Sequence, residues 1–386
     1  MIKLAIIITH PIQYYLPLFM QLAKNCKLKV FYTWGVGGAA AKFDPDFKQV
    51  ISWDLPLLEG YDYELLDNTA KDPGSHHFSG IANPTLIKKI VDFNPAAILV
   101  YGWAYHSHLQ IIRYFKGKIP LWFRGDSTLL NEQSGVKQLL RSLFLKWVYQ
   151  HIDRAFYVGT ANRAYFKKFG LKESQLTFAP HAVDNDRFSA SRITEALALR
   201  ASLQISSEQI LVVFAGKLEA NKNLGLLLQS FLELNKENTH LLFVGNGELE
   251  GELRRKRDAS TTLSMTNVHF MDFQNQTAMP VIYQACDLFC LPSQSETWGL
   301  AVNEAMASGK AVLISDRCGC ANDLVKDGEN GYIFEHNNIK DLNTKLRLLV
   351  SSKSKLKDMG QLSASVIVDW SIAKQCNVIL NELKNQ

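Results

Sequence analysis

Two glutamates, Glu296 and Glu304, stand eight positions apart in the stretch SETWGLAVNEAMASGK (295–310). The preceding DLFCLP predicts a buried strand, SQSETWG a loop, and LAVNEAMASG a helix. The backbone N–H groups of Gly299 and Leu300 then lie at a helix N-terminus, where unpaired donors and the helix dipole favour an anion. Glu304 follows roughly 7 to 8 Å along the helix axis. A diphosphate at the helix start and a ribose diol on the Glu304 carboxylate would therefore suit one ligand.

The glutamates also have a simpler interpretation, in which Glu296 caps the helix and Glu304 forms a surface pair. Small and apolar residues surround Glu304, however, and a carboxylate in such surroundings needs a specific partner. Glu296, on the other side of the phosphates, would accept hydrogen bonds from the hydroxyls of whatever group the diphosphate carries.

Two lysines follow another predicted strand in the same half of the chain. Lys217 and Lys222 occur in AGKLEANKNL, directly after the apolar run at 210–215. Either lysine alone is most simply an ordinary solvated side chain. Together with the glutamate segment they indicate two cations for a diphosphate.

The elements that must position these residues alternate regularly. Short apolar runs and helical patterns follow one another along the chain, which is typical of parallel sheets covered by helices on both faces. The predicted strands lie at 4–8, 28–32, 97–101, 120–123, 155–158, 176–179, 210–215, 240–244, 268–271, 287–291, 311–315 and 332–334. The polar stretch 181–192 divides them into two halves. We expect an α/β protein with two facing, doubly wound, Rossmann-like sheets and a ligand cleft between them.

Composition favours a soluble globular protein. The chain has 386 residues, 47% of them hydrophobic and 20% charged, and a net charge of +5 that is spread along the sequence. This excess suits small anions or anionic lipid surfaces and does not indicate a nucleic-acid binder. The first apolar run is too short for a signal peptide or a membrane span. We therefore expect a cytoplasmic protein with reduced cysteines.

Four segments together resemble the retaining, family-4-type glycosyltransferases of the GT-B fold, in a bacterial, polysaccharide-related branch. The stretch 295–313 is similar to their E-x7-E signature. AGKLEANKNL resembles their phosphate-binding segment, with Lys217 in place of an arginine. HAVDNDRF resembles their interdomain linker, and VGNGELEGEL (244–253) their Gly-x-Gly turn. The first half, with THPIQYYLPLF and WFRGDS, is similar more loosely.

The resemblance implies a domain organisation and an activity. Residues 1–185 would form an N-terminal, acceptor-binding Rossmann-like domain, and 186–365 a C-terminal, nucleotide-sugar-binding one. Residues 366–386 would be a helix that crosses back to the N-terminal domain. The implied reaction moves a sugar from a nucleoside-diphosphate sugar to a glycan or lipid-linked acceptor, with retention and without a metal or other cofactor. The product would belong to a cell-surface polysaccharide or glycolipid.

Catalytic candidates come from the first half. In many relatives a histidine follows the fourth strand, but here the sequence reads Arg124-Gly125-Asp126. Arg124 would stabilise the leaving group or the acceptor, and Asp126 would take the acceptor proton. His106, after the third long strand, is a further candidate, although a structural role suits it as well.

Weaker candidates lie at predicted strand ends. They are His10, Gly37, Gly38, Gly216, Asn246 and Met271. The glycines would bring backbone amides to the diphosphate. The backbone near Met271 to Phe273 would recognise the base.

Helix 136–150 carries apolar residues between basic ones, and they are Leu139, Leu140, Leu143, Phe144, Trp147 and Val148. It would rest on the inner face of an anionic membrane or fill the domain core, and we favour the core.

Two other functions stay open for the chain. One is a nucleotide-sugar epimerase or hydrolase of the same fold, and the other is a catalytically silent nucleotide-sugar-binding scaffold.

Overall fold

The computed structural model describes residues 1–39, 42–44, 49–130, 132, 135–260 and 266–386. The chain divides into two compact units. The first consists of Met1–Lys42, Leu55–His181 and Ile372–Gln386, and the second of Phe43–Asp54 and Ala182–Ser371.

The strands, in chain order, are β1 (Lys3–Ile8), β2 (Lys27–Tyr32), β3 (Lys42–Asp44), β4 (Gln49–Ile51), β5 (Tyr63–Leu65), β6 (Ala97–Tyr101), β7 (Leu121–Arg124), β8 (Arg154–Tyr157), β9 (Leu176–Phe178), β10 (Ile210–Ala215), β11 (Thr239–Val244), β12 (Val268–Met271), β13 (Leu288–Leu291), β14 (Ala311–Ser315) and β15 (Gly331–Phe334).

The α-helices are α1 (Leu16–Asn25), α2 (Val36–Ala39), α3 (Leu86–Phe93), α4 (His106–Phe115), α5 (Val136–Tyr149), α6 (Thr160–Lys168), α7 (Asn185–Ser189), α8 (Ile193–Ser202), α9 (Leu224–Leu234), α10 (Glu250–Asp258), α11 (Met279–Ala285), α12 (Leu300–Ala307), α13 (Ala321–Leu324), α14 (Ile339–Leu349), α15 (Lys353–Ile367) and α16 (Ile372–Lys384). Short 3₁₀ turns at Phe78–Gly80, Glu173–Gln175 and Ala220–Lys222 complete the helical elements of the described residues.

Each unit is built on a parallel sheet. The first sheet has seven strands in the order β5-β2-β1-β6-β7-β8-β9, and the second has six in the order β12-β11-β10-β13-β14-β15. Every pair for which a register is known in these two sheets is parallel. In both sheets the order reverses beside the first strand, β1 or β10, so each is doubly wound. The predicted fold class of two doubly wound parallel-sheet domains is confirmed.

The central strands are apolar because both of their faces are covered. All six residues of β10 and all six of β11 are buried. The carboxyl ends of these strands meet at one edge of the sheet, where ligands bind in open α/β folds. The loops after β10, β11 and β13 therefore share that edge in the second unit.

The last helix, α16, belongs to the first unit and packs against α1. Its apolar side chains Ile372, Ile379 and Leu383 are buried, and Arg154 Nε donates to Glu382 Oε1 at 2.9 Å. Within the described residues, no helix combines the length and the apolar character that crossing a membrane requires.

Candidate functional site

A pocket of about 190 Å³ lies in the second unit, where β10 and β11 end. Its walls come from strand ends, from α11 and α12, and from the loop after β12. The lining residues are Trp53, Ala215, Gly216, Val244, Gly245, Phe273, Gln274, Gln276, Met279, Tyr283, Ala301 and Glu304. Two predicted site residues, Gly216 and Glu304, thus line one cavity although they are far apart in sequence.

Glycines make this edge of the sheet possible. Gly245 has φ +129°, and a Cβ placed on it would lie 2.1 Å from the carbonyl oxygen of Gly216. Gly216 itself has φ +150°. A side chain at Gly245 would push the two loops apart, so the floor of the pocket depends on bare backbone at both positions.

Glu304 lies one turn into α12 and is partly buried. Tyr283 Oη donates to its Oε2 at 2.8 Å. Burial raises the pKa of the Glu304 carboxyl to about 7, while the Tyr283 hydrogen bond and the charge of Arg187 act in the opposite direction. Glu304 is therefore a hydrogen-bonding carboxyl whose charge changes near neutral pH, and its partner is a tyrosine rather than a surface cation.

Lys222 and Glu296 form an ion pair. Their side chains are only 16% and 19% exposed, so water screens the attraction less than at an open surface. The two loops also meet through their backbones, because Gln294 N donates to the Asn221 carbonyl at 2.8 Å. The structure thus brings Lys222 and Glu296 together as an ion pair, a contact that the sequence does not predict.

The start of α12 has the backbone form that the sequence predicts. Gly299 is the N-cap, with φ +100° and ψ +57°, a conformation that favours glycine. A Cβ there would lie 3.2 Å from Leu291 and 3.4 Å from Glu296. The first N–H groups of a helix have no carbonyl partner within it. The N–H groups at the start of α12 are therefore unpaired within the helix, and Gly299 places no side chain beside them.

The loop that carries Glu296 is held by a second loop. Glu296 N donates to the Arg317 carbonyl at 3.1 Å, and Gly319 N donates back to the Glu296 carbonyl at 3.0 Å. Cys320 N donates to the Trp298 carbonyl at 3.0 Å. Cys318 and Cys320 are both buried and free, as are all six cysteines. The cysteine pair thus belongs to a structural loop that fixes the glutamate segment.

Asn246 and Met271 order the loop after β12. Met271 accepts a hydrogen bond from Gly245 N at 2.8 Å, and Asn246 Oδ1 accepts one from Phe273 N at 2.7 Å. Backbone groups at Met271 and Phe273 that were expected to face a base are thus used within the protein. The Phe273 ring lines the pocket and meets Trp53 edge-on, with centroids 6.2 Å apart.

Sequence reasoning missed the residues that support the pocket from other elements. Arg187, in the linker, donates from Nη2 to Gln276 Oε1 at 2.9 Å and packs over Phe188. Tyr283, on α11, supplies the hydrogen bond to Glu304. Arg187 belongs to the linker motif HAVDNDRF, but no sequence pattern connects Arg187, Tyr283 or Gln276 to the two glutamates.

In the first unit, Arg124 is 1% exposed, and its guanidinium donates hydrogen bonds to backbone carbonyls. Its Nη1 donates to the Ala179 carbonyl at 2.9 Å and its Nη2 to the Pro180 carbonyl at 3.0 Å. These contacts give Arg124 a structural task at the end of β9, and its catalytic role stays a prediction. Asp126 lies partly buried two residues after β7. Burial and then the charge of Asp126 raise the pKa of Tyr14, which places these two side chains near each other.

His181 completes this buried group. It is 4% exposed and packs edge-on against Tyr14, with ring centroids 5.6 Å apart. Burial, followed by the charge of Arg124, holds the pKa of His181 well below its usual value. The ring is therefore neutral at physiological pH.

The other first-unit candidates fall into two places. His10 Nδ1 lies 2.9 Å from Thr9 Oγ1, and a Cβ on Gly38 would lie 2.9 Å from the His10 Cβ. Gly37 and Gly38 belong to the single-turn helix α2, so His10 and the glycines are neighbours. His106 is exposed at the start of α4 and meets Phe78 edge-on. It lines a surface pocket with Arg113 and does not join the His10 group.

The expectation that the apolar stripe of α5 fills the core is wrong for all of its residues except Val148, which is buried. Leu139, Leu140 and Leu143 are 61%, 62% and 58% exposed. The buried residues of α5 are Leu145, Val148 and Tyr149, on its opposite side. The helix has apolar residues on two faces, and only one of them packs against the unit.

Comparison with solved structures defines the fold. The chain is similar to the Anabaena protein HepE, whose crystal structure was determined in complex with UDP and glucose, at a TM-score of 0.75 and 18% identity over 100% of both chains. Together with the two parallel-sheet units, this likeness shows the GT-B fold.

Residues 196–365, inside the second unit, match the model of the family described as glycosyl transferases group 1. The chain is 27% identical over 205 residues to sulfoquinovosyl transferase SQD2 of Arabidopsis thaliana, which covers 52% of this chain and 38% of that protein. It is 26% identical over 221 residues to D-inositol 3-phosphate glycosyltransferase of Nocardia farcinica, covering 55% and 48%. The chain thus spans less than half the length of these curated relatives.

Proposed function

We propose that this chain is a retaining glycosyltransferase that uses a nucleoside-diphosphate sugar and no metal. One observation carries the proposal. The pocket that joins Gly216, Ala301 and Glu304 lies at the strand edge of the unit that matches glycosyl transferases group 1. That edge is where an open parallel sheet binds its ligand.

The donor would lie along the start of α12. Glu304 would bind the ribose hydroxyls, and the N–H groups of Gly299 and Leu300 would bind the diphosphate. Phe273 and Trp53, on the same pocket, would contact the base. HepE, which has the same fold, was crystallised in complex with UDP. We therefore propose a uridine nucleotide as the first ligand to test.

Lys222 and Lys217 would supply the positive charge for bond cleavage. As the bond between the sugar and the diphosphate breaks, negative charge grows on the leaving phosphate, and fixed cations stabilise it most where water is excluded. In this role they would take the place of a divalent metal. Glu296, beside Lys222, would then accept hydrogen bonds from the transferred sugar.

The first unit would bind a glycan or lipid-linked acceptor, with Asp126 as the group that receives the acceptor proton. The same enzyme would act in the cytoplasm, at the inner face of the membrane, in the assembly of a surface polysaccharide or glycolipid.

The exposed face of α5 supports contact with an anionic bilayer. Leu139, Leu140 and Leu143 are mostly exposed, and the helix carries Lys137, Arg141 and Lys146 but no acidic residue. An apolar stripe beside basic side chains is the composition that binds anionic lipid interfaces.

Donor binding is tested by calorimetry with UDP and UDP-sugars in the presence of EDTA. Lys222→Ala and Glu304→Ala are expected to weaken UDP binding at least about tenfold, since each removes a charged hydrogen-bonding partner. Lys326→Ala is the matched control, because Lys326 is 64% exposed on the same unit. Unchanged UDP affinity in both site variants would refute the assigned roles.

Turnover separates the three functions. Release of UDP that depends on an added acceptor supports a transferase, and the anomeric configuration of the product tests retention. Release of free sugar, or an isomerised donor, would support the epimerase or hydrolase instead. Binding without turnover of any donor and acceptor would support the scaffold.

Membrane contact is tested by flotation with vesicles of phosphatidylglycerol and of phosphatidylcholine. The wild type is expected to float with the anionic vesicles, and Leu140→Ser/Leu143→Ser is expected to lose most of that binding. Leu197→Ser, at a residue 54% exposed on α8, is the control. Equal flotation of all three proteins would exclude α5 as the contact.

A further inference from the structure

We infer that the loop from Asp72 to Ser79 in the first unit binds a divalent transition-metal ion, and Zn²⁺ is the ion used to test this. Its ligands are the Asp72 carboxylate and the ring nitrogens of His76 and His77. The potential ligand atoms of these residues all lie within 4.8 Å of one another. Among the described residues, this is the group of three or more such side chains that could hold a metal.

Two of the three distances between ligand atoms are close to those of a tetrahedral centre. Zinc binds nitrogen and oxygen at about 2.0–2.2 Å, so neighbouring ligand atoms in a tetrahedral site lie about 3.3–3.6 Å apart. Asp72 Oδ2 lies 3.2 Å from His77 Nε2 and 3.7 Å from His76 Nε2. The distances from Asp72 Oδ2 to the two imidazole nitrogens are therefore close to those expected if all three atoms bound one metal ion.

A neighbouring hydroxyl orients one of the histidines. His77 Nδ1 lies 3.0 Å from Ser79 Oγ. Without a metal, Nε2 carries the proton, because it lies 3.1 Å from the Asp72 carbonyl oxygen and 3.2 Å from Asp72 Oδ2, and both oxygens only accept. A bound metal would displace that proton, and the ring would then donate from Nδ1 to Ser79. Metal-binding histidines usually donate their second ring nitrogen to an oxygen in this way. The Ser79 hydroxyl is thus a partner for Nδ1 in either tautomer, including the one that a bound metal requires.

The loop is held by hydrogen bonds that do not involve the three ligand side chains. Gly74 N donates to the Gly80 carbonyl at 3.0 Å, and Asn68 Nδ2 donates to the same carbonyl at 2.8 Å. Tyr105 Oη donates to the Ser75 carbonyl at 3.1 Å. Both ends and the middle of the loop are therefore fixed before an ion arrives, which lowers the conformational cost of binding.

The ligand set favours a transition-metal ion over Mg²⁺ and Ca²⁺. Imidazole nitrogen suits Zn²⁺, Cu²⁺ and Ni²⁺, whereas Mg²⁺ and Ca²⁺ prefer all-oxygen sites. Three protein ligands leave a fourth position for water. The side chains of Asp72 and His76 are 74% and 66% exposed, so an ion reaches the site directly from solvent.

This site goes beyond the proposed transferase, and none of its residues is assigned to donor binding. Its three ligands lie in the first unit, whereas Lys222, Glu296 and Glu304 lie in the second. Zinc binding and UDP binding are therefore separate measurements, and either inference can fail without the other.

The test is calorimetry of tag-free, full-length protein that has been stripped with EDTA and exchanged into chelator-free buffer. We expect one Zn²⁺ per chain, and with Co²⁺ the visible absorption of a tetrahedral complex. His76→Gln/His77→Gln should abolish this binding, and Ser79→Ala should weaken it about tenfold through loss of the orienting contact.

His336→Gln is the matched control. His336 Nδ1 also lies 3.0 Å from an aspartate, Asp316, but the same nitrogen accepts from Arg317 Nε, whose charge opposes a cation. This variant should bind zinc like the wild type. Circular dichroism and thermal unfolding confirm that each variant is folded. Failure of the wild type to bind zinc stoichiometrically, or equal zinc affinity in the double variant, would overturn the inference.

Discussion

Near pH 7 the carboxyl of Glu304 is divided between its two protonation states. Burial raises its pKa to about 7, against the hydrogen bond from Tyr283 and the positive charge of Arg187. Only the carboxylate accepts hydrogen bonds from two hydroxyls at once. A small change of pH therefore changes the fraction of the protein that presents the proposed ribose-binding form.

We predict that UDP binding weakens as the pH falls below about 7. One pH unit below the pKa about a tenth of the carboxyl is ionised, so the dissociation constant should rise by up to about tenfold. Glu304→Gln removes the titration of this carboxyl. Titration of the UDP phosphates also changes the binding constant, but it does so equally for the wild type and the variant. Calorimetry with UDP from about pH 6 to pH 8 measures the difference. The same pH dependence in both proteins would contradict the prediction.

At the residue scale, sequence reasoning works where a motif is local. Glu296, Gly299 and Glu304 stand within nine positions, and helix geometry relates them directly. The ion pair of Lys222 with Glu296 spans 74 positions, and the bond between Tyr283 and Glu304 spans 21. Such pairs depend on which strands are neighbours in the sheet, and residue types alone do not reveal that order.

At the scale of elements, burial decides which strands the sequence predicts. The central strands β1, β10 and β11 read as continuous apolar runs because helices cover both of their faces. β5 has three partly buried residues, Tyr-Glu-Leu, at the edge of its sheet. A strand of three partly buried residues carries no apolar run, so the sequence does not predict β5.

Helix α5 shows the limit of periodicity. Its apolar stripe predicts an apolar partner, but the pattern is the same whether that partner is a core or a membrane. The exposed fractions of Leu139, Leu140 and Leu143 distinguish the two. Sequence predicts that such a helix has a partner, whereas structure identifies the face that is still uncovered.

The close approach of two loops gives a prediction for Gly245. A methyl group there would lie 2.1 Å from the Gly216 carbonyl oxygen, and the backbone has φ +129°. Gly117→Ala is the control, since Gly117 has φ +71° but nothing within 4 Å of an added Cβ. The control should lose about 1 kcal/mol of unfolding free energy from backbone strain alone. Gly245→Ala should lose about 1–3 kcal/mol more because of the clash.

Urea denaturation of both variants measures the two losses, and UDP calorimetry shows whether the pocket survives. We expect weaker UDP binding only in Gly245→Ala, because only its clash displaces the loop that carries Gly216. Equal destabilisation of the two variants would mean that the loops separate at little cost.

At the scale of the whole molecule, the chain crosses between its units more often than the sequence suggests. Phe43–Asp54 belongs to the second unit although it lies deep in the first half of the sequence, and it brings Trp53 to the pocket. No change of composition marks this segment. Its membership follows from contacts such as Thr277 N with Asp54 Oδ2 at 3.1 Å, which only the folded chain provides.

The return of α16 to the first unit supports the last prediction, which concerns deletion of Ile372–Gln386. The deletion exposes apolar surface on α1 and removes several buried side chains, each contributing about 1.5–3 kcal/mol. Glu382→Gln, the control, removes only the ion pair with Arg154, for which about 0–1 kcal/mol is typical. The deletion should therefore destabilise the first unit far more than the control does.

The second unit keeps the whole proposed donor site after this deletion, so it should still bind UDP with unchanged affinity. UDP at about 100 times its dissociation constant should stabilise that unit by about 2.7 kcal/mol. Calorimetric unfolding is then expected to show two transitions in the deletion variant, of which UDP raises only one. If the deletion abolishes UDP binding, or if UDP raises both transitions equally, the donor site depends on the first unit, and the assignment of donor binding to the second unit alone is wrong.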